Sequence, residues 1–543
     1  EVVLGDVRPV LRLLGAGVAL LLLLACVNVG NLLLLRFTRR GHEIAVRRSL
    51  GASTTDIVRP LAVEGGLLAL LGGAVGILLS VLVLRILLRV APAGLPRLDV
   101  IRLGGVSVAG AVGLTVLAAL VVGVLPVLAT AGRDLAPRLR IDPRAGGETR
   151  ARRRLRHGFV AVQIALAVVL LAGAGLLTRS LARLETLQLG YRPDHLSLVW
   201  IATPVTRANA DARFAGLLER VPPGLRAIPG VSAVTPMVIP PFFGSQVFNA
   251  LWEVEGATTQ PGAYPRIPIE AGDADYFRTL GIPLVRGRGF LESDRATSPG
   301  VAVVSERAAQ LLGLGPDPIG RRIRFAHDTS AGAWRTVVGV AGDIHYRNLR
   351  EAAPTIYLPS AQYFFQGLFA IRTTGSLEAV LPAVRRAVHE ADPAALVART
   401  EQLDQLVARQ RALPTLSSLL LSGLGLVALA LAAIGLYGLM ASLVRAQTRE
   451  LGVRLALGAT PARLRRGVLT RAVAVAGLGA VAGLAGAVAG SHLVAALLFQ
   501  ISPTDPWTLG GVCIVLLGVT LVAAYLPARR ATRIDPAEAL RAE

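Results

Sequence analysis

The sequence predicts an α-helical membrane protein of about seven spans, arranged as two three-span repeats plus one linking span, with an α/β extracytoplasmic domain between them. Three observations predict it. Seven apolar runs, at about 13–35, 65–84, 105–131, 158–178, 413–444, 472–499 and 507–527, each approach the ~20 residues a helix needs to cross a hydrocarbon core. A short polar segment after the first run recurs after the fifth, about 400 residues later. The stretch of about 230 residues between the fourth and fifth runs is different in kind, holding most of the Tyr, Trp and Phe and many Pro, Asp and Glu. The mean hydropathy of +0.58 agrees.

The repeated segment reads EIAVRRSLGAS at Glu43–Ser53 and ELGVRLALGAT at Glu450–Thr460, with six of eleven positions identical. Each copy lies between two apolar runs. The similarity continues to the tails RDLAPRLR (Arg133–Arg140) and IDPAEALR (Ile534–Arg541), both following a span that ends in Leu-Pro. The duplicated unit is therefore a three-span repeat. This divides the chain into a first repeat (1–135), a basic linker (136–157), a linking stalk span (158–178), an extracytoplasmic domain (179–412) and a second repeat (413–543).

The net charge of +22 would suit a nucleic-acid binder, but its distribution excludes that class. The arginines cluster beside span ends: Arg36, Arg39 and Arg40 after the first span, Arg150–Arg156 before the fourth, Arg445 and Arg449 after the fifth, Arg529, Arg530 and Arg533 after the last. That is the positive-inside pattern, and it puts residues 179–412 outside the cytoplasm. The N-terminus then lies outside too, and with Glu as first residue the chain is expected to continue upstream through at least one more span. All 57 basic Lys/Arg positions are arginine. A Walker A loop requires a lysine on the β/γ-phosphates, so the chain is expected not to be an ATPase itself. Cys26 and Cys513 both sit in predicted spans and read as packing residues.

Within the outer region the hydrophobic period alternates. His195–Thr203 reads as a strand, Ala208–Ile228 as an amphipathic helix and Val231–Ile239 as a strand, a βαβ unit. A second βαβ pattern covers Gly367–Arg372, Ser376–Ala391 and Ala395–Arg399. Short strands lie between them, at Gly300–Val304, Arg322–Phe325 and Thr336–Val340. The region is either two related α/β halves or one α/β module interrupted by a mostly β insert. It holds no HExxH, GxSxG or metal-spaced His/Cys cluster, so no catalytic, cofactor or metal site is expected. Asp343, His345 and Tyr346 read as surface packing. Met237–Phe243 (MVIPPFF) fits a contact loop or the core equally well.

The candidate functional residues lie in the repeated polar segment. Glu43 and Arg47 are four apart, an order that supports a helix by about 0.2–0.5 kcal/mol. Leu50 continues that face, and Gly51 ends the helix with a left-handed cap. Glu450, Arg454, Leu457 and Gly458 repeat the arrangement. Such a helix either lies on the lipid surface or inserts into a groove of a cytoplasmic motor, and two copies suit two motor subunits. Asn28, Asn31, Gln163 and His492 fall inside spans and read as helix–helix hydrogen-bonding groups. No carboxylate lies deep in a span, which disfavours an ion-coupled carrier. The Gly479-x-x-x-Gly483 and Gly486-x-x-x-Gly490 spacings allow close helix approach inside the bundle.

Arg36–Ser53 (RFTRRGHEIAVRRSLGAS), with its partner Arg445–Thr460 (RAQTRELGVRLALGAT), resembles the FtsX-like permease domain. Gly272–Phe290 (GDADYFRTLGIPLVRGRGF) and Val301–Phe325 are similar to the MacB-type periplasmic core. The resemblance covers nearly the whole chain and implies a duplicated permease of the ABC type in a bacterial inner membrane. It implies that Glu43, Arg47, Leu50, Gly51, Glu450, Arg454, Leu457 and Gly458 contact a separate cytoplasmic ATPase. It implies further that motion passes through the spans flanking the outer domain to an envelope adaptor or other extracytoplasmic partner, or to a substrate. The other reading is an envelope scaffold that regulates such a partner without transport. Membrane lipid is the expected surround in either case.

Overall fold

The computed structural model describes residues 2–39, 50, 54–90, 104–117, 150–206, 208–243, 248–257, 264–326, 328, 334–363, 365–446, 457 and 459–531. It divides into two compact units. One holds the membrane helices, and the other is essentially Leu184–Leu413.

In chain order, the first half contributes helices α1 (Val2–Arg39), α2 (Thr54–Val90) and α3 (Gly105–Leu117), followed by α4 (Arg150–Glu185). The outer domain then supplies β1 (Leu196–Ala202), α5 (Ala210–Arg226), β2 (Val231–Met237), β3 (Asn249–Val254), β4 (Arg266–Gly272), α6 (Tyr276–Leu280) and β5 (Leu284–Gly287). It continues with β6 (Val301–Ser305), α7 (Glu306–Leu311), β7 (Arg322–Phe325), β8 (Arg335–Ala341), β9 (Ile356–Pro359), β10 (Leu368–Thr373), α8 (Leu377–Ala391) and β11 (Leu396–Gln402). The second half is α9 (Leu403–Ala446), α10 (Pro461–Ala489), α11 (Ser491–Ala495) and α12 (Pro506–Ala531). Six of these helices are long and apolar enough to cross a membrane. The candidate span 105–131 is described only as far as Leu117.

The outer domain is one α/β module interrupted by an insert. Its four-stranded sheet has the order β11-β1-β10-β2, antiparallel throughout. Each βαβ unit is thus split, with a strand of the other unit between its own two. This is the ferredoxin-like arrangement. Helix α5 buries Leu217, Val221 and Leu225, spaced four apart, so they form one stripe. With Val384 and Val388 of α8 they pack on Val199, Ile201, Val234, Phe369 and Ile371 of the sheet.

Between β2 and β10 the chain builds a second sheet, β5-β8-β6-β9-β4-β3-β7, in which β7 also pairs with β8. Six strands therefore close into a small barrel, and β5 adds to it at β8. Trp252, Ile267, Ile269, Ala302, Val304, Ile323, Val337, Ile356 and Leu358 fill it. Closure removes two sheet edges that would otherwise be free to pair.

The short helix α6 joins barrel to module. Its start needs Gly272, because a Cβ there would sit 2.0 Å from the Tyr276 ring. Its end needs Gly281, left-handed at φ 71°, whose N–H and that of Ile282 satisfy the last carbonyls. Beside it, Glu270 and Arg347 form a fully enclosed ion pair, Nη2 to Oε1 2.7 Å, with side chains 1% and 2% exposed. Arg347 also donates to the Ile269 carbonyl at 3.1 Å. Tyr276, Tyr346 and Tyr357 are buried around the pair. Burial pushes the Glu270 carboxyl up to about 7, and the Arg347 charge offsets only part of that rise.

One expectation for this region needs correction, and one open alternative is decided. Tyr346 is core rather than surface, with its hydroxyl donating to Ile239 O at 2.8 Å, and Asp343 instead accepts from the Arg307 backbone N–H. In the MVIPPFF stretch, Met237, Val238 and Ile239 are core, while Phe243 is 61% exposed.

In the membrane unit, α4 is the central helix. Val160, Ile164, Ala167, Val168 and Leu170 pack among Leu24 of α1, Ala428, Ala432 and Leu436 of α9, Ala472 and Val475 of α10, and Val512 and Leu516 of α12. Gly479 and Gly483 let α10 approach α4 closely: a Cβ on them would stand 2.6 Å from Ala161 O and from Val168 Cβ. His492 does not lie in the sixth span. Gly490 ends α10, and His492 is exposed in the short α11 that follows.

Candidate functional site

The residues predicted from the repeat as an ATPase contact fall in sequence between α1 and α2 and between α9 and α10. In the first copy, α1 leads in and α2 leads out. In the second, α9 leads in and α10 leads out. Glu43, Arg47, Gly51, Glu450, Arg454 and Gly458 lie outside the described residues. Leu50 and Leu457, the equivalent leucines of the two copies, are described. Each sits in a turn and each is 81% exposed. The same apolar residue is therefore exposed at the same repeat position in both copies.

The second turn is anchored from below. Thr460 takes the extended N-cap conformation, Pro461 occupies the first helical position, and Arg463 N–H bonds to Thr460 O at 3.0 Å. Val444 of α9 packs on Leu464 of α10, with Ala459 and Val468 beside them. Arg156 of α4 donates to Ser442 of α9, and Arg530 of α12 to the Tyr437 hydroxyl at 3.0 Å. These contacts join α9 to α10 beside the turn, and α4 and α12 to α9.

Helices α4 and α9 flank the outer domain in sequence, and each is continuous. At 1.5 Å per residue, their 36 and 44 residues span about 54 and 66 Å, well beyond a ~30 Å hydrocarbon core. They are held together between Arg156–Ser442 and Thr178–Ser418. Thr178 Oγ1 lies 3.1 Å from Ser418 Oγ and 3.2 Å from Ser422 Oγ. Gly173 and Gly425 admit Leu421 and Ala174, respectively. Deeper in, Asn28 Nδ2 of α1 and Gln163 Nε2 of α4 both donate to Leu431 O of α9, at 3.3 and 2.6 Å. Asn28 and Gln163 thus serve helix–helix bonding, as their residue types predict. Gln163→Leu is expected to weaken the bundle by about 0.6 kcal/mol, read as a small shift in the thermal unfolding of the detergent-solubilised chain.

The outer loop before α12 adds one ion pair that sequence reading missed. Asp505 caps α12 through Thr508 N–H at 2.8 Å and pairs with Arg179 of α4. The Thr508 hydroxyl first, and then Arg179 among lesser contributions, hold the Asp505 carboxyl below the usual range. Among the described residues no group of three or more His, Cys, Asp or Glu is placed to hold a metal.

Helix repeat, continuous stalk helices and an α/β outer module define a multi-pass membrane protein with a large extracytoplasmic domain. The chain matches the family model for the FtsX-like permease C-terminal region twice, over residues 15–135 and 422–536. It matches the model for the MacB-like periplasmic core domain over 160–403. It belongs to the FtsX-like, MacB-type permeases of the bacterial inner membrane, with the segment around 179–412 extracytoplasmic.

Among curated proteins, it is 29% identical over 286 residues to the pyoverdine export ATP-binding/permease protein PvdT of Pseudomonas savastanoi pv. phaseolicola, covering 51% of this chain and 43% of the relative. It is 27% identical over 291 residues to the macrolide export ATP-binding/permease protein MacB 2 of Aeromonas hydrophila, covering 50% and 42%. The chain spans less than half the length of these two relatives. Among solved structures it matches the periplasmic region of MacB from Actinobacillus actinomycetemcomitans at 14% identity and a TM-score of 0.27, covering 40% of this chain and 92% of that one.

Proposed function

We propose that the chain is the permease of an ABC-type complex in which a separate cytoplasmic ATPase drives motion of the extracytoplasmic domain, for export or for mechanical signalling across the membrane. The observation that carries this reading is the pair of equivalent leucines, Leu50 and Leu457, exposed equally at the two repeated turns. Two identical apolar contacts on one side of the bilayer suit a motor with two similar subunits. The names of the relatives join an ATP-binding and a permease function, and this chain has no lysine for a Walker A loop, so ATP hydrolysis falls to a partner. Glu43, Arg47, Leu50 and Gly51, with Glu450, Arg454, Leu457 and Gly458, form the contact in this proposal. Helices α4 and α9 carry the stroke outward.

The test is affinity purification from native membranes in mild detergent, beside a Glu43→Arg/Glu450→Arg variant. Like charges set against an interface cost several kcal/mol, so recovery of the bound ATPase is expected to fall at least about tenfold in the variant. An ATPase absent from both forms at matched yield would sink the motor reading. The protein would then stand as a scaffold that regulates an envelope partner without transport.

A further inference from the structure

Helix α4 is the floor of a groove whose walls are α9 and α12. Gly173 of α4 admits Leu421 of α9, 3.1 Å from an added Cβ, and Gly175 admits Thr508 of α12 at 2.8 Å. Both walls are thereby drawn onto the floor. At the cytoplasmic end the walls meet, where Arg530 of α12 donates to the Tyr437 hydroxyl of α9 at 3.0 Å. Toward the outer end they leave a space of about 560 Å³ between them. Its sides are Leu171 and Ala174 of α4, Leu426 of α9, and Gly511, Val512 and Val515 of α12. All of these belong to the membrane unit. Leu426 and Val515 are exposed, so the groove opens sideways to where lipid tails lie. Its charge is confined to the outer rim. Trp507 stands there in the first turn of α12, 79% exposed, as tryptophans do at headgroup depth. Arg179 stands beside it and gives Nη1 to Asp505, yet its side chain stays 37% exposed against 14% for Asp505. Asp505 also accepts from the Thr508 backbone N–H at 2.8 Å and from the Thr508 hydroxyl at 2.6 Å. The acid is thus satisfied within the protein, and the cation is the member of the pair that lines the groove.

We propose that this groove binds an outer-leaflet phospholipid, one acyl chain lying between α9 and α12 and the phosphate meeting Arg179. Both ends of the groove define the ligand. An apolar trough inside the hydrocarbon layer admits a methylene chain and excludes any group that needs hydration. A guanidinium carries five N–H donors in a planar fork that matches phosphate oxygens, and here it sits at the depth where lipid phosphates lie. Mostly apolar walls with a few polar groups at one end are also what a small-molecule site requires. The site does not depend on an ATPase partner.

The probe is phosphatidylethanolamine with brominated acyl chains, because bromine touching an indole quenches its emission. Trp200, Trp252 and Trp334 lie in the outer domain, so the emission that Trp507→Phe lacks reports on this groove. The full chain is reconstituted with the probe and then taken into excess mild detergent, which strips loosely held lipid. Trp507 is expected to stay quenched, and native mass spectrometry to find the probe retained. Nothing stands within 4 Å of a Cβ at Gly511 or at Gly510, so both positions have room for a phenylalanine. Gly511→Phe fills the groove and is expected to lower retention at least about tenfold. Gly510→Phe, one position round α12, is expected to match wild type. Arg179→Gln is expected to lose the probe. Brominated diacylglycerol, which lacks the phosphate, is expected to wash out of wild type. A Cβ at Gly486 lies 3.3 Å from Val169 Cγ2, so a disulfide between V169C and G486C, with Cys26 and Cys513 replaced by Ala, reports that each variant still packs α10 on α4. The comparison of phospholipid with diacylglycerol is read in wild type, so it decides even where a variant does not fold. Full recovery of Trp507 emission in wild type, equal retention by Gly511→Phe and Gly510→Phe, or retention of diacylglycerol equal to that of the phospholipid would each overturn the proposal.

Discussion

Arg347→Ala is expected to destabilise the extracytoplasmic domain by about 3–5 kcal/mol at pH 8, because it leaves the Glu270 carboxylate enclosed without its counter-charge. Both side chains are almost wholly removed from solvent, and the pair meets at 2.7 Å. The loss has a defined pH dependence. The folded Glu270 carboxyl is raised from 4.5 to about 7, so the folded state holds its proton more tightly than the unfolded chain does. The stability contributed by that proton is complete below about 4.5 and is lost as pH rises through about 7. Without Arg347 the carboxyl rises further, since the offsetting charge is gone. The variant is therefore expected to approach wild type at pH 5 and to diverge from it at pH 8. Glu270→Gln keeps the shape and removes the titration, so its unfolding midpoint is expected to lose this slope. Urea unfolding of the detergent-solubilised chain, followed through the buried Trp252, reads all three forms. An Arg347→Ala deficit equal at pH 5 and pH 8 would refute the account.

That pair also marks where sequence reasoning stops. Local pattern makes α5 legible, because Leu217, Val221 and Leu225 repeat at helical spacing. It makes β1, β2 and β10 legible as strands for the same kind of reason. It does not reveal that β10 passes between β1 and β2, nor that β7 closes on β8, because strand partners are chosen by contacts more than a hundred or only a dozen residues away with no signal in either segment. Glu270 and Arg347 are separated by most of the barrel, and neither is unusual in its neighbourhood. Their pairing follows only once β4 and the segment after β8 are brought together. The apolar neighbours of His492 extend the predicted span past it, whereas the helix stops at Gly490. Of the candidate site, the repeat fixes the positions. The exposure of Leu50 and Leu457 adds what a sequence cannot state, that both leucines face outward alike.

Gly483→Leu is expected to be the most damaging single change in the membrane unit, whereas Gly477→Leu is expected to be nearly silent. The two glycines lie on the same helix, so propensity and hydropathy change alike in both. Only the surroundings differ. A Cβ at Gly483 would come within 2.6 Å of Val168 Cβ and 2.7 Å of Ala165 O, and backbone at that distance cannot move aside as a flexible side chain can. At Gly477 nothing stands within 4 Å. Overpacking a well-filled interior costs about 1–3 kcal/mol when neighbours adjust. Here α10 would have to separate from α4, losing the contacts among Ala472, Val475, Ala476 and Ile164 as well, so the cost is expected at the upper end or above it. The expected result is a V169C–G486C disulfide that forms in wild type and in Gly477→Leu but falls at least about tenfold in Gly483→Leu, a factor that corresponds to about 1.4 kcal/mol. Equal disulfide yields in the two leucine variants would show that α10 does not rest on α4 through Gly483.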